Sequence, residues 1–253
     1  MTPPDLSDSS YVPPSGLDKT TLTERVYATL KEDILANRLL PDTPLQEASI
    51  ARALDVSRGP VREALRKLAA EGLVSLRPRR GAVVSSLTPE EFLDAYRVRE
   101  ALEVLAIRLA TSRLEQDDLG QLESLNEEML QAAEQEDVES FFRANADFHA
   151  LLVDRSENPF LRDIYYPLMD QMQRYRLRSV NLRGGLKRSC GEHETILEAL
   201  RRRDAEQAGR LLSEHIQEPQ RILESAAGAD ELELALRSSP DGMEGGDASA
   251  TAG

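Results

Sequence analysis

The residues best suited to chemistry are the chain's three histidines, His149, His193 and His215. Read at 100° per residue, each shares a helix face with apolar side chains. His149 lines up with Phe142, Leu152 and Val153, His193 with Ile196, Leu197 and Leu200, and His215 with Ala208, Leu211, Leu212 and Ile222. Asn145 lies one turn before His149 on the same face. Three inward imidazoles and an oxygen donor suit a divalent transition metal with room for water or a further ligand. The spacing equally allows three core histidines, each satisfied by a carbonyl or carboxylate, because no HExxH-type signature fixes the geometry. An open metal position on three histidines can also activate water, so a metal-dependent hydrolytic enzyme is the alternative function. Against it, no carboxylate stands out as a general base.

A second set is basic. Arg58, Arg62 and Arg66 form a stripe on the flank of a helix whose inner face carries Val61, Leu65 and Leu68. Arginine suits bidentate contact with guanine O6 and N7 in the major groove, and equally contact with phosphate. Arg79, Arg80 and Gly81 follow at a hairpin tip, where glycine permits close approach to a nucleic-acid backbone or minor groove; Arg52 can reach phosphate from the preceding helix. The bland alternative is a solvated basic helix with Glu63 paired to Lys67 at i,i+4. Its place after a tight turn and before a basic hairpin argues against that. Arg99 lies on the apolar stripe Phe92, Ala95, Leu102 and Ala106, so it points inward and needs an anionic partner. Either Glu103 supplies it at i,i+4, or the carboxylate of a small acid does; Arg174, Arg176 and Arg178 are other candidates for the acid. Cys190, beside Gly184, Gly185 and Gly191 in an expected Gly-rich loop, reads as an incidental thiol.

The elements that must position these residues fall into two groups. Val26, Leu30, Ile34 and Leu35 predict a first helix ending near Asn37, and LLPDTP a turn. A second helix is expected over 46–54, with Ile50 and Leu54 inward. Ser57 is a fitting N-cap for a third, with Pro60 in its first turn and Gly72 as terminator. LVSLRPRRGAVVSSL then reads as two short strands around a basic turn. This is the order of a winged helix-turn-helix, over residues 20–86. From Thr88, with capping-box spacing to Glu91, helical patterns cover 88–113, 117–135, 138–156, 160–180, 192–203 and 205–227, the last capped by Asp204. Residues 88–227 therefore read as an all-α bundle of about six helices.

The 253 residues, 40% apolar and 30% charged, hold enough apolar mass for a real core. Residues 1–19 read as a disordered arm and 228–253 as a mostly disordered tail, with a short helix possible at 232–236. One cysteine excludes an intrachain disulfide framework. No apolar leader and no 18-residue apolar run are present, so a soluble, cytoplasmic protein is expected. The net charge of −14 is unevenly spread: 1–86 carries +1, and within 48–81 eight basic residues face three acidic ones. That local excess marks a phosphate-binding surface.

The run LQEASIARALDVSRGPVREALRKLAAEGLVSLRPRRGAVV resembles the DNA-binding domain of the GntR family of bacterial transcription regulators. The family's pattern is carried by Val56-Ser57-Arg58, Pro60 through Leu65, Leu68 and Glu71-Gly72-Leu73-Val74. The resemblance implies base and phosphate contacts for Arg58 and Arg62 and a minor-groove place for Gly81. Some members have a DNA-contacting arginine near the start of the second helix, and Glu47-Ala48-Ser49 has none. Residues 88–227 resemble the FCD effector domain of the FadR subfamily through Arg99, Leu102-Glu103, Phe148-His149, Asn158-Pro159, His193, Ile196-Leu197, Ala199-Leu200, Asp204, Ala208 and His215-Ile216. In metal-binding members three histidines at these positions bind together with an Asp four residues before the first. That position is Asn145 here, a neutral and weaker ligand, while Asp147 lies about 200° round the helix. The resemblance implies zinc first, with nickel or manganese as alternatives, and an organic-acid or sugar-acid effector clamped by Arg99. It implies a regulator rather than an enzyme: a homodimeric repressor on a near-palindromic operator with half-sites about 34 Å apart.

Overall fold

The computed structural model describes residues 21–77, 81–179 and 185–224, without the side chains of 173–179, 222 and 223. The arm, the tail with its expected short helix, Arg79, Arg80, Gly184 and the side chains of Arg174, Arg176 and Arg178 lie outside the described residues.

Helix α1 (Leu22–Leu35) begins at a capping box in which Thr21 and Glu24 exchange hydrogen bonds, and it buries Val26, Leu30 and Ile34. Helix α2 (Glu47–Ala53) and helix α3 (Arg58–Ala70) follow, joined by a turn in which Asp55 adopts a φ of 51°. On α2 it is Ala51 that is fully buried, with Ile50 and Leu54 half-buried against the same core. Ser57 is the N-cap of α3 by position, but its side chain makes no capping bond. Val61, Ala64, Leu65 and Leu68 bring α3 onto α1. Beyond Gly72, strands β2 (Val74–Arg77) and β3 (Gly81–Val84) form the expected hairpin, with Leu76 opposite Ala82. A two-residue strand β1 (Pro44–Leu45), starting at the last residue of what the sequence presents as a turn, pairs with the other edge of β3. The sheet order is β1-β3-β2, antiparallel throughout.

The remaining described helices are α4 (Pro89–Ala110), α5 (Gln116–Glu134), α6 (Val138–Arg155), α7 (Pro159–Ser179), α8 (Gly185–Arg201) and α9 (Ala205–Glu224). Thr88 and Glu91 form the predicted capping box of α4, and Asp204 accepts from the Gln207 amide at α9. Helix α4 packs on α6, α7 and α9, and α5 on α6 and α8, around a core that includes Phe92, Phe148, Met172 and Ile196. One expectation fails: Gly185 and Gly191 are not in a loop but within α8, which starts about two turns early. Their low helix propensity is outweighed by what the early turns bury. Cys190 on those turns is 5% exposed, and burial pushes its thiol up to about 11.

Two helical ends meet where the sheet-bearing unit touches the bundle. Lys31 Nζ on α1 lies 2.9 Å from Glu71 and 2.6 Å from Asp170 on α7. Gln171 donates to the Glu71 carbonyl at 2.9 Å, and Pro167 sits inside α7 just before these residues. Gly72 has a φ of +75°, and a Cβ there would lie 2.6 Å from the Gln171 amide nitrogen. Gly72→Ala is expected to cost about 1–2 kcal/mol from the left-handed backbone alone, with displacement of Gln171 adding to it. Chemical denaturation of both single variants and the Gly72→Ala/Gln171→Ala pair separates the parts: the backbone cost persists in the Gln171→Ala background, while the steric part disappears.

Candidate metal centre and nucleic-acid interface

The bundle brings the three histidines together from three helices. His149 comes from α6, His193 from α8 and His215 from α9. They are 1%, 0% and 7% exposed, and their ligand atoms lie within 4.8 Å of one another. His149 Nε2 and His193 Nε2 stand 3.4 Å apart, close to the ligand-to-ligand edge of a tetrahedral site with bonds of about 2.0–2.1 Å. His193 Nδ1 is buried with no hydrogen-bond partner. Two facing ring nitrogens and an orphaned third leave polar capacity that the protein does not satisfy by itself. A cation on the facing Nε2 atoms would take up their lone pairs, each ring binding through one nitrogen, so the residues present fit a divalent metal.

The partners of the rings come from elements the sequence does not link to them. Glu103 on α4, 1% exposed, places Oε2 2.6 Å from His149 Nδ1, close enough for strong charge interaction though poorly aligned as a hydrogen bond. Its other oxygen accepts from Arg99 Nε at 2.6 Å. Glu192 Oε2 is 2.7 Å from His215 Nδ1. Carboxylates on Nδ1 turn Nε2 inward and raise ring basicity, the usual support of a metal-binding histidine. Burial pushes the Glu103 carboxyl up, but Arg99 and His149 outweigh it and hold it below the ordinary carboxylate range. Burial drives His149 down to about 4, against the opposing pull of Glu103. Burial, together with His215 and His149, holds His193 well below 6.5. Both are therefore neutral at pH 7, the form that ligates a metal.

Arg99 thus finds its anionic partner in Glu103, one turn along α4. The bond uses one of five N–H donors. Arg99 and Asn145 also line a cavity of about 80 Å³ with Tyr96, Arg188, Glu192 and His215. Asp147 is exposed on the far side of α6 and takes no part. Glu103 is visible in the sequence as the i+4 partner of Arg99, but its approach to His149 joins α4 to α6 and has no spacing signal; nor does Glu192 with His215.

The basic stripe of α3 is exposed at Arg58, Arg62 and Arg66, as is Arg52 on α2. Glu63 pairs with Arg66 at 2.7 Å rather than with Lys67, whose ammonium lies 5.9 Å from the Tyr27 ring centroid. Arg62 is held by Glu47 across the α2–α3 turn, with Nη2 2.9 Å from Oε2. Between α3 and the hairpin runs a groove of about 550 Å³ whose wall includes Arg62, Arg66, Arg77 and Gly81. Gly81 has a φ of +78° and nothing within 4 Å of the place a Cβ would occupy.

A winged helix-turn-helix with a basic third helix, joined to a helical bundle with a metal-capable histidine cluster, defines a DNA-binding regulator with a second, all-helical domain. Residues 22–84 match the family described as bacterial regulatory proteins of the gntR family, and residues 94–218 match the FCD domain. The HTH-type transcriptional repressor RspR of Escherichia coli is 30% identical over 197 residues, covering 78% of this chain and 86% of the relative. A probable D-xylose utilization operon transcriptional repressor of Paenarthrobacter nicotinovorans is 31% identical, covering 79% and 88%. The solved structure of E. coli McbR/YncC superposes with a TM-score of 0.67 at 28% identity, over 80% of this chain and 97% of that one. The chain belongs to the GntR family of bacterial transcription regulators. No helix of the described residues is long and apolar enough to cross a membrane.

Proposed function

We propose that the protein is a cytoplasmic repressor that binds a near-palindromic operator as a homodimer and is released by a small organic acid bound at a metal in the bundle. In this reading residues 20–86 bind DNA and 88–227 bind effector and dimerise. Arg58, Arg62 and Arg66 enter the major groove, Arg79, Arg80 and Gly81 approach the minor groove, and Arg52 contacts phosphate. The observation that carries the effector half is the buried three-histidine cluster, one member of which, His215, lines a small pocket that Arg99 and Asn145 also line.

His149, His193 and His215, with Asn145, would hold the ion, zinc first and nickel or manganese as alternatives. A bound divalent metal supplies a Lewis-acid anchor for anionic oxygens. Glu103 and Glu192 fix the ring orientations at His149 and His215. Arg99, with its charge balanced by Glu103, offers its remaining donors to an acid carboxylate. Burial strengthens each of these polar contacts. An effector that prefers one arrangement of the two domains shifts the population away from the DNA-competent geometry.

His193→Ala tests this. The wild-type protein is expected to hold near-stoichiometric metal after purification, and the variant to lose it while its apo form binds DNA normally. Metal at about a thousand times its dissociation constant stabilises by about 4 kcal/mol, so chelation should lower the wild-type unfolding temperature by about 10 °C and leave the variant unmoved. Equal metal content in the two proteins would remove His193 from the site; an acid that binds without changing operator affinity would defeat the sensor reading.

A further inference from the structure

The groove between α3 and the hairpin has one carboxylate among its described wall residues, Glu47. A surface built to meet phosphate gains nothing from a negative charge, which repels the backbone it must approach. Glu47 is nevertheless engaged in an ordered way. It is the first residue of α2, and both its oxygens accept from Arg62: Nε to Oε1 at 3.1 Å and Nη2 to Oε2 at 2.9 Å. This is a side-on fork, which fixes the guanidinium plane as a single bond cannot. Arg62 also holds the Glu47 carboxyl below its ordinary range, so it stays ionised.

The side-on edge uses the Nε proton and one Nη2 proton. The other edge, formed by Nη1 and the second Nη2 proton, is left over, and that edge matches guanine O6 and N7. The Arg62 side chain is 53% exposed, so the free edge can reach a base while Glu47 keeps its hold. Arg66, by contrast, is tied to Glu63 of its own helix through Nη1.

We propose that Glu47 is a specificity-determining residue that positions Arg62 for one guanine in each half-site. It holds the arginine side-on and turns it away from the neighbouring phosphates. The inference rests on the DNA-binding reading of α3 given above. A flexible arginine at this place would bind guanine and phosphate alike; a clamped one reads a base.

Operator selection from a randomised duplex library tests it, with the full-length wild type, Glu47→Gln, Glu47→Asp and Arg62→Ala. Glu47→Gln removes the charge at constant size, and Glu47→Asp keeps the charge but draws it back by one methylene. Unfolding temperatures confirm that each variant is folded. Both Glu47 variants are expected to lose about tenfold of the guanine preference at one base pair per half-site, the same pair that Arg62→Ala relaxes. Glu47→Gln should also bind unrelated duplexes more tightly. An unchanged selected site with uniformly tighter binding would show that Glu47 only screens phosphate, and would overturn the inference. Preference lost at a different pair from that of Arg62 would mean that Glu47 reads a base itself, and would overturn it too. A wild type that selects no sequence would remove the DNA-binding reading and this inference together; wild-type selection with unaltered variants removes this inference alone.

Discussion

Glu103→Ala is expected to lower the unfolding free energy by about 3–5 kcal/mol, the largest stability effect of any single change at the site. Arg99 and Glu103 have side chains only 4% and 2% exposed, and they meet at 2.6 Å. Removing the carboxylate leaves a guanidinium in the bundle with no counter-charge, and it frees His149 from the group beside its Nδ1. Glu103→Gln keeps the shape and one acceptor, so it should cost less while still weakening metal retention through His149. Thermal and denaturant unfolding measure the first effect, and metal content the second. A Glu103→Ala protein as stable as the wild type would mean that Arg99 finds another partner. Acid acts in the same direction in the metal-free protein. With His149 at about 4 against an ordinary 6.5, the unfolded chain takes up a proton first as pH falls. Stability should therefore decline between pH 6.5 and 4. The lowered Glu103 carboxyl adds stability that is present above its ordinary range and lost only at still lower pH. Unfolding temperatures at pH 7.5, 6 and 5 check the sign.

Arg62→Ala is expected to reduce operator affinity by at least about 30-fold, because the proposed homodimer would present the residue twice, each copy reading a base independently. Binding to unrelated duplexes should fall far less. Its side chain is exposed and touches Glu47 rather than the core, so the unfolding temperature should barely change. Electrophoretic mobility shift at two salt concentrations separates the two parts: loss of a base contact leaves the salt slope nearly unaltered, whereas loss of a phosphate contact flattens it. A uniform, salt-sensitive loss across all sequences would make Arg62 a phosphate contact.

The helices were legible wherever side chains mark their own ends. Thr88 with Glu91 and Asp204 with Gln207 are local signals, and the helices start where these residues place them. The missed features share one trait, dependence on a partner far along the chain. Strand β1 has two residues and exists because β3 offers an edge. The early turns of α8 carry two glycines and persist because Leu186 and Cys190 pack on the core. The same holds for the candidate site. Periodicity places each histidine inward and so brings the three together, but the approach of Glu103 to His149 crosses from α4 to α6. The Arg62–Glu47 fork spans a turn and 15 residues of sequence, and no local rule reaches that far.

The proline inside α7 has a mechanical consequence. Pro167 brings no N–H to the Asp163 carbonyl, which weakens the helix there. Upstream, Leu161 and Tyr165 are sunk into the bundle beside Ala106 and Val153; downstream, Asp170 and Gln171 grip Lys31 and the Glu71 carbonyl. The turns beyond the proline therefore serve two masters, the bundle core on one face and the DNA-reading unit on the other. Met172, also beyond the proline, is buried in the bundle core, so any change in the angle of that unit made by flexing α7 is coupled to packing inside the bundle.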